Sequence, residues 1–528
     1  MASGTEREMN GAESLVRTLL ASGVDTCFAN PGTSEMHFVD ALDRVGGMRP
    51  VLGLFEGVVT GAADGYARML DRPASTLLHL GPGLANGLSN LHNAMRAQSP
   101  VVNVIGDHAT YHRRHDAPLT SDVEGTARPF SHWVRTSLNA DAVATDAAAA
   151  VAAARSTPGR VASLILPADA AWNPISAAGR PLSEGLPAPT LAPAPSEETV
   201  SAVAALLGAG ASTALLLGGR STRAQSLEWA GRIAAATGAT LITQTHAARI
   251  TRGAGRVPVQ RLPYPVDQAR AMLSRFDNLV LVGAKAPVAF FAYPDRPSEL
   301  AAPGMNIQVL SDPTQDAEAA LELLADRLGA TDAEPPRAEL SVPDVPTGGP
   351  LDAGSLGPVL ASMLPEGAIV VDESITTGRS FWPSTITAAP HDWLLGTGGA
   401  IGYAMPNAVG AAIACPDRQV VCLESDGSGL YQPQALWTMA RENLDIVTVI
   451  FSNRRYAILD GEMRNVGGAG GGAVADQLFG LDRPAVDWVS VARGFGVDGV
   501  AVDDVTGFTK ALRHGFNTPG PSLVEVLL

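Results

Sequence analysis

The chain has 528 residues, of which 46% are hydrophobic and 17% charged. This composition is typical of a soluble α/β protein that is too long for one hydrophobic core. The net charge of −16 is spread along the chain, which argues against nucleic acid or an anionic membrane as a partner. The first 25 residues lack a secretory pattern, and no window approaches a membrane-spanning apolar run, so we expect a cytoplasmic protein that does not bind membranes. Cys27, Cys415 and Cys422 form no C-x-x-C pair, which predicts buried free thiols.

Two proline-rich stretches divide the chain. Residues 179–198 and 331–350 have the composition of extended linkers between domains. We therefore predict three domains, an N-terminal one at 1–178, a middle one at 199–330 and a C-terminal one at 351–528.

Each predicted domain alternates short apolar runs with helical stretches such as GAESLVRTLLASG and GVVTGAADGYARML. Continuous apolar strands that alternate with helices are typical of parallel sheets covered on both faces. The predicted fold class is α/β, with three doubly wound domains built on mainly parallel sheets. The predicted strands, in chain order, are DTCFAN, PVLGLF, STLLHL and PVVNVIG in the first domain, ASTALLLGG, ATLITQT, NLVLVGA and MNIQVLS in the second, and GAIVVDES, QVVCLES, IVTVIFS and PSLVEVLL in the third.

Polar residues follow two successive strands of the third domain. Asp426 follows QVVCLES and precedes Gly427 and Ser428, and Asn453 follows IVTVIFS. Doubly wound sheets bind ligands at the carboxyl ends of their strands, and glycine lets backbone N–H groups approach an anion. A carboxylate there would repel phosphate unless a divalent cation lay between them, so Asp426 and Asn453 are candidate Mg²⁺ ligands beside a diphosphate. The alternative is an ordinary Asp-Gly turn without a ligand.

The same stretch resembles the thiamine diphosphate motif, in which Gly-Asp-Gly is followed some two dozen residues later by Asn-Asn. Here Ser425-Asp426-Gly427 is followed after 24 residues by Ser452-Asn453. Both metal-binding positions are therefore kept, and two neighbouring positions differ. The resemblance implies two sets of residues in this domain, the Mg²⁺ ligands Asp426, Asn453 and Arg455 (through its carbonyl), and the cofactor contacts Ile375, Thr376, Gly399, Ile401, Asp426, Gly427, Ser428, Asn453, Tyr456 and Ala457.

A second motif lies in the first domain. In RPVLGLFEGVVTGAADGYARM, Glu56 closes an apolar strand and opens a helix that carries Ala-Asp-Gly-Tyr-Ala. This resembles the glutamate strand and helix of the same family, which implies that Glu56 activates the cofactor through its aminopyrimidine ring. The alternative for Glu56 alone is a first-turn glutamate stabilised by the helix dipole. In LLGTGGAIGYAMPNAVGAAIA, the resemblance implies that the Gly399 carbonyl accepts from the 4′-amino group and that Ile401 bends the cofactor.

The resemblance extends from FANPGTSE at 28–35 to the last strand. It is to the thiamine diphosphate family that holds acetolactate synthase large subunits and benzoylformate decarboxylase, whose pyrimidine-binding, middle and diphosphate-binding domains follow in that order. It implies thiamine diphosphate and Mg²⁺ as cofactors, a small 2-oxo acid as substrate, and at least a homodimer, often a homotetramer. It also implies decarboxylation, after which the enamine is either captured by a carbonyl acceptor or protonated to release an aldehyde.

Four residues are implied to line the substrate pocket. Thr33 lies in FANPGTSE, and His79, in a strand-end loop beside a Gly-Pro-Gly turn, falls where benzoylformate decarboxylase has a proton-transferring histidine. The alternative for His79 is a histidine held by loop packing. Phe290 or Phe291 stands where that decarboxylase has its second histidine. The predicted function is therefore an acetolactate synthase-like carboligase, with an aldehyde-releasing decarboxylase as the alternative.

Other features stay open. The stretch 108–115 holds three histidines and two arginines, which predicts either a solvated loop or a contact to a substrate carboxylate or another subunit. It lacks the ligand spacing of a zinc site. Acetolactate synthases often bind FAD in the middle domain, but the glycine turns there are generic, so FAD stays without support. A nicotinamide oxidoreductase would need a G-x-G-x-x-G turn after a strand, which no domain shows convincingly. A non-catalytic binding protein would be expected to lose Glu56 or Asp426, and both are present.

Overall fold

The computed structural model describes residues 8–345, 347–468 and 471–528. The first seven residues of the N-terminal stretch and residue 346 of the second predicted linker therefore lie outside the described chain. Contacts divide the chain into two compact units that interleave in sequence. The first comprises Met1–Leu191, Gly398–Cys415 and Gln434–Glu442, and the second comprises Ala192–Thr397, Pro416–Pro433 and Asn443–Leu528.

The β-strands of the described residues form three sheets. In chain order the strands are β1 (Thr26–Ala29), β2 (Arg49–Leu52), β3 (Ala74–Leu78), β4 (Val101–Asp107), β5 (Trp133–Thr136), β6 (Val161–Pro167), β7 (Thr213–Leu217), β8 (Thr240–Thr243), β9 (Ile250–Arg252), β10 (Gln260–Arg261), β11 (Asn278–Val282), β12 (Asn306–Ser311), β13 (Ile369–Glu373), β14 (His391–Leu395), β15 (Val420–Ser425), β16 (Ile446–Ser452), β17 (Asp498–Val502) and β18 (Ser522–Leu527).

The α-helices connect these strands. In chain order they are α1 (Gly11–Ala21), α2 (Met36–Val45), α3 (Glu56–Leu70), α4 (Leu80–Ala97), α5 (Val123–Ala127), α6 (Val143–Arg155), α7 (Ala168–Trp172), α8 (Glu197–Gly208), α9 (Ala224–Thr237), α10 (Val266–Leu273), α11 (Ala317–Arg327), α12 (Ala353–Met363), α13 (Phe381–Ser384), α14 (Ala404–Ala414), α15 (Asp426–Gly429), α16 (Ala435–Arg441), α17 (Ala457–Asn465), α18 (Ala473–Phe479), α19 (Trp488–Gly494) and α20 (Val505–Asn517).

The first unit is built on a parallel six-stranded sheet in the order β2-β1-β3-β4-β6-β5. Its central strands β1, β3, β4 and β6 are buried along their whole length, as expected for a sheet covered on both faces. Because the strands are parallel, the loops after β1, β2 and β3 leave the same edge of the sheet. These loops carry Glu35, Glu56 and His79.

Helices α3 and α14 of this unit approach each other closely because both carry glycine. A methyl group at Gly65 would lie 2.1 Å from the backbone oxygen of Asn407, and one at Gly410 would lie 1.9 Å from the backbone oxygen of Ala62. The side chain of Asn407 donates to the carbonyl of Gly61 at 3.0 Å. The glycine in the Ala-Asp-Gly-Tyr-Ala segment therefore has a packing role between these two helices.

The second unit holds two sheets. One is parallel in the order β10-β8-β7-β11-β12, and the other runs β17-β18-β16-β15-β13-β14-β9, parallel except for the antiparallel pair β14 and β9. Arg252 of β9 is buried, its guanidinium carbon 3.9 Å from the ring centroid of Trp382 and 5.1 Å from that of Trp393. It also donates to the carbonyl of Trp382 at 2.5 Å. This cation–π contact adds to the backbone pairing of β9 with β14 at the edge of the seven-stranded sheet.

The predicted α/β class with mainly parallel sheets is confirmed, and every predicted strand is found as a strand. The domain boundaries remain predictions. Cys27 and Cys422 are buried as predicted, whereas Cys415 is only half-buried, and none of the three described cysteines forms a disulfide. No helix within the described ranges is long and apolar enough to cross a membrane.

Two local predictions are wrong. Glu56 does not close a strand, because β2 ends at Leu52 and three residues precede the helix that Glu56 begins. The Gly-Pro-Gly segment after His79 is not a turn but part of α4. The chain reverses one residue earlier, at Leu80, whose φ of +45° lies in the left-handed region, and the helix can then begin directly.

The close approach of α3 and α14 predicts that Gly410→Ala destabilises the protein. The added methyl group would meet the α3 backbone, so we expect the free energy of unfolding to fall by about 1–3 kcal/mol. Gly461→Ala in α17 is the matched control, since a methyl group there meets nothing within 4 Å and alanine favours a helix by up to about 1 kcal/mol. Urea denaturation midpoints measure both, and equal midpoints for Gly410→Ala and the unsubstituted protein would contradict the packing argument.

Candidate active site

The predicted metal-binding residues lie at the carboxyl ends of neighbouring parallel strands. Strand β15 ends at Ser425 beside β16, and Asp426 begins the single turn α15. The carboxylate of Asp426 reaches the segment after β16, where one oxygen accepts from the backbone N–H of Arg454 at 2.6 Å. Its other oxygen accepts from the N–H of Gly427 at 3.0 Å. The structure therefore brings Asp426 beside the Asn453–Arg455 turn, as the sequence predicts.

This turn offers the oxygen types that suit Mg²⁺. The amide oxygen of Asn453 accepts from the N–H of Arg455 at 2.9 Å, which tightens the turn, and Arg454 between them has a left-handed φ of +56°. A carboxylate, an amide oxygen and a carbonyl are hard oxygen donors that fit a magnesium ion. Burial raises the pKa of Asp426 to about 6, and a divalent cation would favour the ionised form. In the part of the chain that the structure describes, no cluster of three or more His, Cys, Asp or Glu residues could hold a metal.

The predicted diphosphate contacts surround the same turn. A methyl group at Gly427 would lie 2.4 Å from the ring of Tyr456, so only glycine fits there. Tyr456 precedes α17, and Ala457 is its first residue. The hydroxyl of Ser428 donates to the carboxyl group of Glu424. These residues lie where the resemblance expects them, and their contact with a cofactor stays a prediction.

Ile375 is the most strained of the predicted cofactor contacts. It follows β13 with a φ of +47° and is 39% exposed, while its neighbour Thr376 precedes a 3₁₀ turn. A β-branched residue in the left-handed region is rare, and such strain is concentrated at functional sites.

Glu424 is a buried carboxyl group that the sequence reasoning missed. It pairs in register with Glu373 across β15 and β13, and both are buried. Burial and the neighbouring Glu373 raise the pKa of Glu424 well above its usual range. One of its oxygens has no hydrogen-bond partner among the described residues, while the other accepts from Ser428 and from the N–H of Ser425. The signal was a glutamate inside an otherwise apolar strand, which needs a local reason to be buried.

Glu56 occupies a narrow space in the first unit. It is 5% exposed, and one carboxylate oxygen accepts from the side chain of Asn86 at 2.9 Å. The other oxygen lies where a methyl group at Gly83 would come within 2.9 Å. In the described chain no arginine or lysine pairs with Glu56, so the carboxyl group can share a proton with a ligand.

His79 is held by a buried carboxylate. Its Nδ1 lies 2.8 Å from Glu35 and 3.3 Å from the hydroxyl of Ser34. Glu35 is buried and also accepts from the N–H of Gly32 at 2.8 Å. An ionised Glu35 makes Nδ1 the protonated nitrogen, which leaves Nε2 to exchange a proton elsewhere. The sequence reasoning found His79 and missed Glu35, although the glutamate follows β1 just as His79 follows β3.

Other predicted residues of the first unit are also located. Thr33 is exposed and begins a 3₁₀ turn. Gly399 is exposed with a left-handed φ of +79°, and Ile401 is half-buried. The side chain of Asn93 donates to the carbonyl of Ala400 at 2.9 Å and accepts from its N–H at 3.2 Å. This pair of bonds explains how the glycine-rich loop keeps one conformation.

The histidine- and arginine-rich stretch follows β4. Its three imidazole rings lie in a row with centroids 5.4 and 5.6 Å apart, and Arg113 pairs with Asp107 at 2.6 Å. Most of its residues are exposed. A solvated loop and a contact to a ligand or another subunit both remain open for it.

Phe290 and Phe291 are exposed by 44% and 55%, as expected for residues that line an open pocket. The ring of Phe290 lies 5.6 Å from His246 and 5.7 Å from Tyr264. Burial lowers the pKa of His246 to about 4, so it is neutral at pH 7. The structure therefore places a histidine beside Phe290 from 44 residues away in sequence, which sequence alignment alone does not show.

Comparison with known proteins identifies one family for two parts of the chain. Residues 9–125 match the family described as "Thiamine pyrophosphate enzyme, N-terminal TPP binding domain", and residues 379–526 match its C-terminal TPP binding domain. A relative from Mycobacterium tuberculosis, named "Putative acetolactate synthase large subunit IlvX", is 50% identical over 98% of this chain and 99% of its own length. Benzoylformate decarboxylase from Pseudomonas aeruginosa is 29% identical over 96% of each chain.

A solved structure shows the same fold. The thiamine diphosphate-dependent 4-hydroxybenzoylformate decarboxylase of Rhodococcus jostii RHA1 superposes with a TM-score of 0.84 at 25% identity and covers 98% of both chains. Family models match residues 9–125 and 379–526 of this chain. A relative named as an acetolactate synthase large subunit is also 50% identical over 98% of the chain. The chain therefore belongs to the thiamine pyrophosphate enzyme family, in the branch that holds acetolactate synthases and benzoylformate decarboxylases.

Proposed function

We propose that this protein binds thiamine diphosphate with Mg²⁺, decarboxylates a 2-oxo acid and transfers the remaining acyl group to a carbonyl acceptor, as an acetolactate synthase does. The observation that carries the cofactor assignment is the carboxylate of Asp426, which reaches the Asn453–Arg455 turn at 2.6 Å from Arg454. The proposed transfer of the acyl group to a carbonyl acceptor is supported by the relative that is 50% identical and named as an acetolactate synthase large subunit.

The residues of each unit have distinct roles in this proposal. Asp426, Asn453 and the carbonyl of Arg455 would hold Mg²⁺, and the backbone around Gly427 and Ile375 would receive the diphosphate. When bound, thiamine diphosphate supplies the electron sink that makes loss of CO₂ from a 2-oxo acid feasible. Glu56 would share a proton with the aminopyrimidine ring, while Asn86 fixes its other oxygen. Since cofactors of this family lie between subunits, we also propose at least a homodimer, in the cytoplasm.

His79 would transfer protons to and from the substrate. Glu35 holds Nδ1 at 2.8 Å and stabilises the imidazolium form that follows proton uptake at Nε2. This is the arrangement of a general acid–base histidine with an orienting carboxylate. Thr33 begins the same short turn as Ser34 and Glu35 and would lie near the substrate.

Release of an aldehyde is the second candidate function. The carboligase prediction depended on the absence of a histidine from the middle domain, and the structure places His246 beside Phe290. A neutral imidazole there is a second proton carrier that would favour protonation over transfer. The similar proteins named as decarboxylases support the same alternative.

The first test is activity with two 2-oxo acids. Purified protein with thiamine diphosphate and Mg²⁺ should release CO₂, and mass spectrometry should find acetolactate from pyruvate if the leading proposal holds. Benzaldehyde from benzoylformate would establish the second candidate instead. Glu56→Gln should lower kcat by about 10²–10⁴-fold, and Glu322→Gln on the exposed face of α11 should not change it. Failure of the unsubstituted protein to bind thiamine diphosphate would overturn the proposal.

The Glu35–His79 pair predicts that Glu35→Gln impairs catalysis without loss of cofactor. A neutral amide cannot stabilise the imidazolium form, so we expect kcat to fall about 10²-fold. The affinity for thiamine diphosphate, measured by fluorescence quenching, should stay within twofold. His79→Phe should lower kcat by a similar factor, and Glu35→Gln added to His79→Phe should lower it no further, because the carboxylate acts through the imidazole. A further fall of kcat in the double variant would show that the carboxylate only supports the loop.

The raised pKa of Asp426 predicts pH-dependent metal binding. Because the protonated carboxyl group cannot ligate Mg²⁺, affinity should be constant above pH 7 and fall about tenfold for each pH unit below about 6. Calorimetry in two buffers of different ionisation enthalpy should detect the release of about three-quarters of a proton per site at pH 5.5. Asp426→Asn should abolish that release, and Asp498→Asn, at an exposed position, should keep it. Affinity that does not change between pH 5 and 7 would exclude Asp426 as a ligand.

A further inference from the structure

Helices α17 and α18 have no buried residues. Helices of nine and seven residues are marginal by themselves, and packing of an apolar face normally supplies their stability. Such packing is only partial here, because seven of the nine residues of α17 are half-buried and two are exposed. Polar contacts therefore help to hold this segment, which begins at Ala457, directly after the turn that carries Asn453 and Arg455.

The strongest of these contacts come from two tyrosines outside the segment. Tyr293 donates its hydroxyl to one carboxylate oxygen of Glu462 at 2.7 Å, and Tyr264 donates to the other at 3.3 Å. Arg296 donates to the side-chain oxygen of Asn465 one turn later, at 3.3 Å. Burial and the neighbouring Glu462 raise the pKa of Tyr264, so it stays a donor at any physiological pH. We call Tyr264, Tyr293 and Glu462 the tyrosine clamp.

The other contacts of the segment are internal and tie both helices to the turn. The N–H of Tyr456 donates to the carbonyl of Phe479 at 2.8 Å, and the N–H of Leu481 donates to that of Arg454 at 2.8 Å. Arg455 pairs with Asp460 of α17 at 2.6 Å and with Asp476 of α18 at 2.8 Å. These contacts join α17 and α18 to the turn, and Glu462 is the residue of α17 that the clamp contacts.

We propose that Tyr264 and Tyr293 are positioning residues for the cofactor site. Their hydrogen bonds to Glu462 keep the Asn453–Tyr456 turn in the conformation that binds Mg²⁺ and the diphosphate. This inference rests on the proposed cofactor site. Glu462 lies five residues along α17 from Ala457, about 7.5 Å at 1.5 Å per residue. Loss of the hydrogen bonds to Glu462 therefore displaces the turn through α17, which is short and rigid.

The clamp also connects the cofactor site to three aromatic side chains of the same unit, Phe290, Phe291 and His246, which we call the aromatic wall. The ring of Tyr264 lies 5.7 Å from Phe290 and 6.4 Å from His246. A ligand that contacts Phe290 therefore contacts a neighbour of Tyr264, and Tyr264 donates a hydrogen bond to Glu462 of α17. Cofactor affinity and binding at the wall are linked through Tyr264, and linkage between two ligands is reciprocal.

The test compares cofactor affinity in full-length variants. The double variant Tyr264→Phe/Tyr293→Phe keeps both rings and removes both hydroxyls, so we expect the Kd for thiamine diphosphate at saturating Mg²⁺ to rise about tenfold, the effect of one lost hydrogen bond to a carboxylate. Trypsin should cut faster after Arg464, an exposed residue of α17. The melting temperature without cofactor should change by less than about 2 °C, because so few buried contacts are involved. Ser341→Ala, which removes the hydroxyl of an exposed residue in the second predicted linker, is the control.

Several results would overturn the inference. If the unsubstituted protein binds the cofactor and the double variant binds it equally well, the clamp has no positioning role. If the melting temperature of the cofactor-free variant falls together with its affinity, the tyrosines support the fold in general. Glu462→Gln, which keeps one accepting oxygen, should give an intermediate Kd, and an unchanged Kd would count against the clamp. Failure of the unsubstituted protein to bind would instead remove the proposed function and this inference with it.

Discussion

The hydrogen bond from the backbone of Arg454 to Asp426 is the interaction on which the candidate site at the ends of β15 and β16 depends. Strands β15 and β16 are neighbours and parallel, so the segments that follow them leave the sheet at the same edge. The bond joins these two segments across the edge and uses a carboxylate that burial makes expensive to ionise. A cation offsets that cost, which is why the arrangement makes chemical sense as a metal site and little sense as a plain turn.

The buried carboxyl groups of the two units have different surroundings. In the first unit Glu35 is buried with three hydrogen-bond donors around it, and Glu56 has one side-chain donor and an open second oxygen. The first orients an imidazole, while the second presents an oxygen without a side-chain donor. In the second unit Glu424 lies against another glutamate on the adjacent strand. Environment, and not residue type, thus separates the roles of four acidic side chains near the strand ends.

Sequence patterns predicted twelve of the eighteen described strands, the parallel sheets and the proximity of Asp426 to Asn453, because all of these follow from hydrophobic runs and the order of successive strands. They did not predict contacts that depend on which strands are adjacent in space. Glu35 meets His79 because β1 lies beside β3, and His246 meets Phe290 because loops from β8 and β11 converge. The turn predicted after His79 was a helix, since the positive φ of Leu80 made the reversal that glycine was expected to make.

The glycine contact between α3 and α14 has a consequence for synthesis of the chain. Gly65 and Gly410 are separated by 344 residues, yet each helix fills the space that the other leaves for it. At roughly 5–20 residues per second, a ribosome needs about 20–70 s to make the intervening chain. During that interval α3 can pack on its neighbours α4, β1 and β3, but the face that contacts α14 has no native partner. The first unit therefore cannot complete its core while it is being translated, and α3 is a surface on which a chaperone would be expected to act.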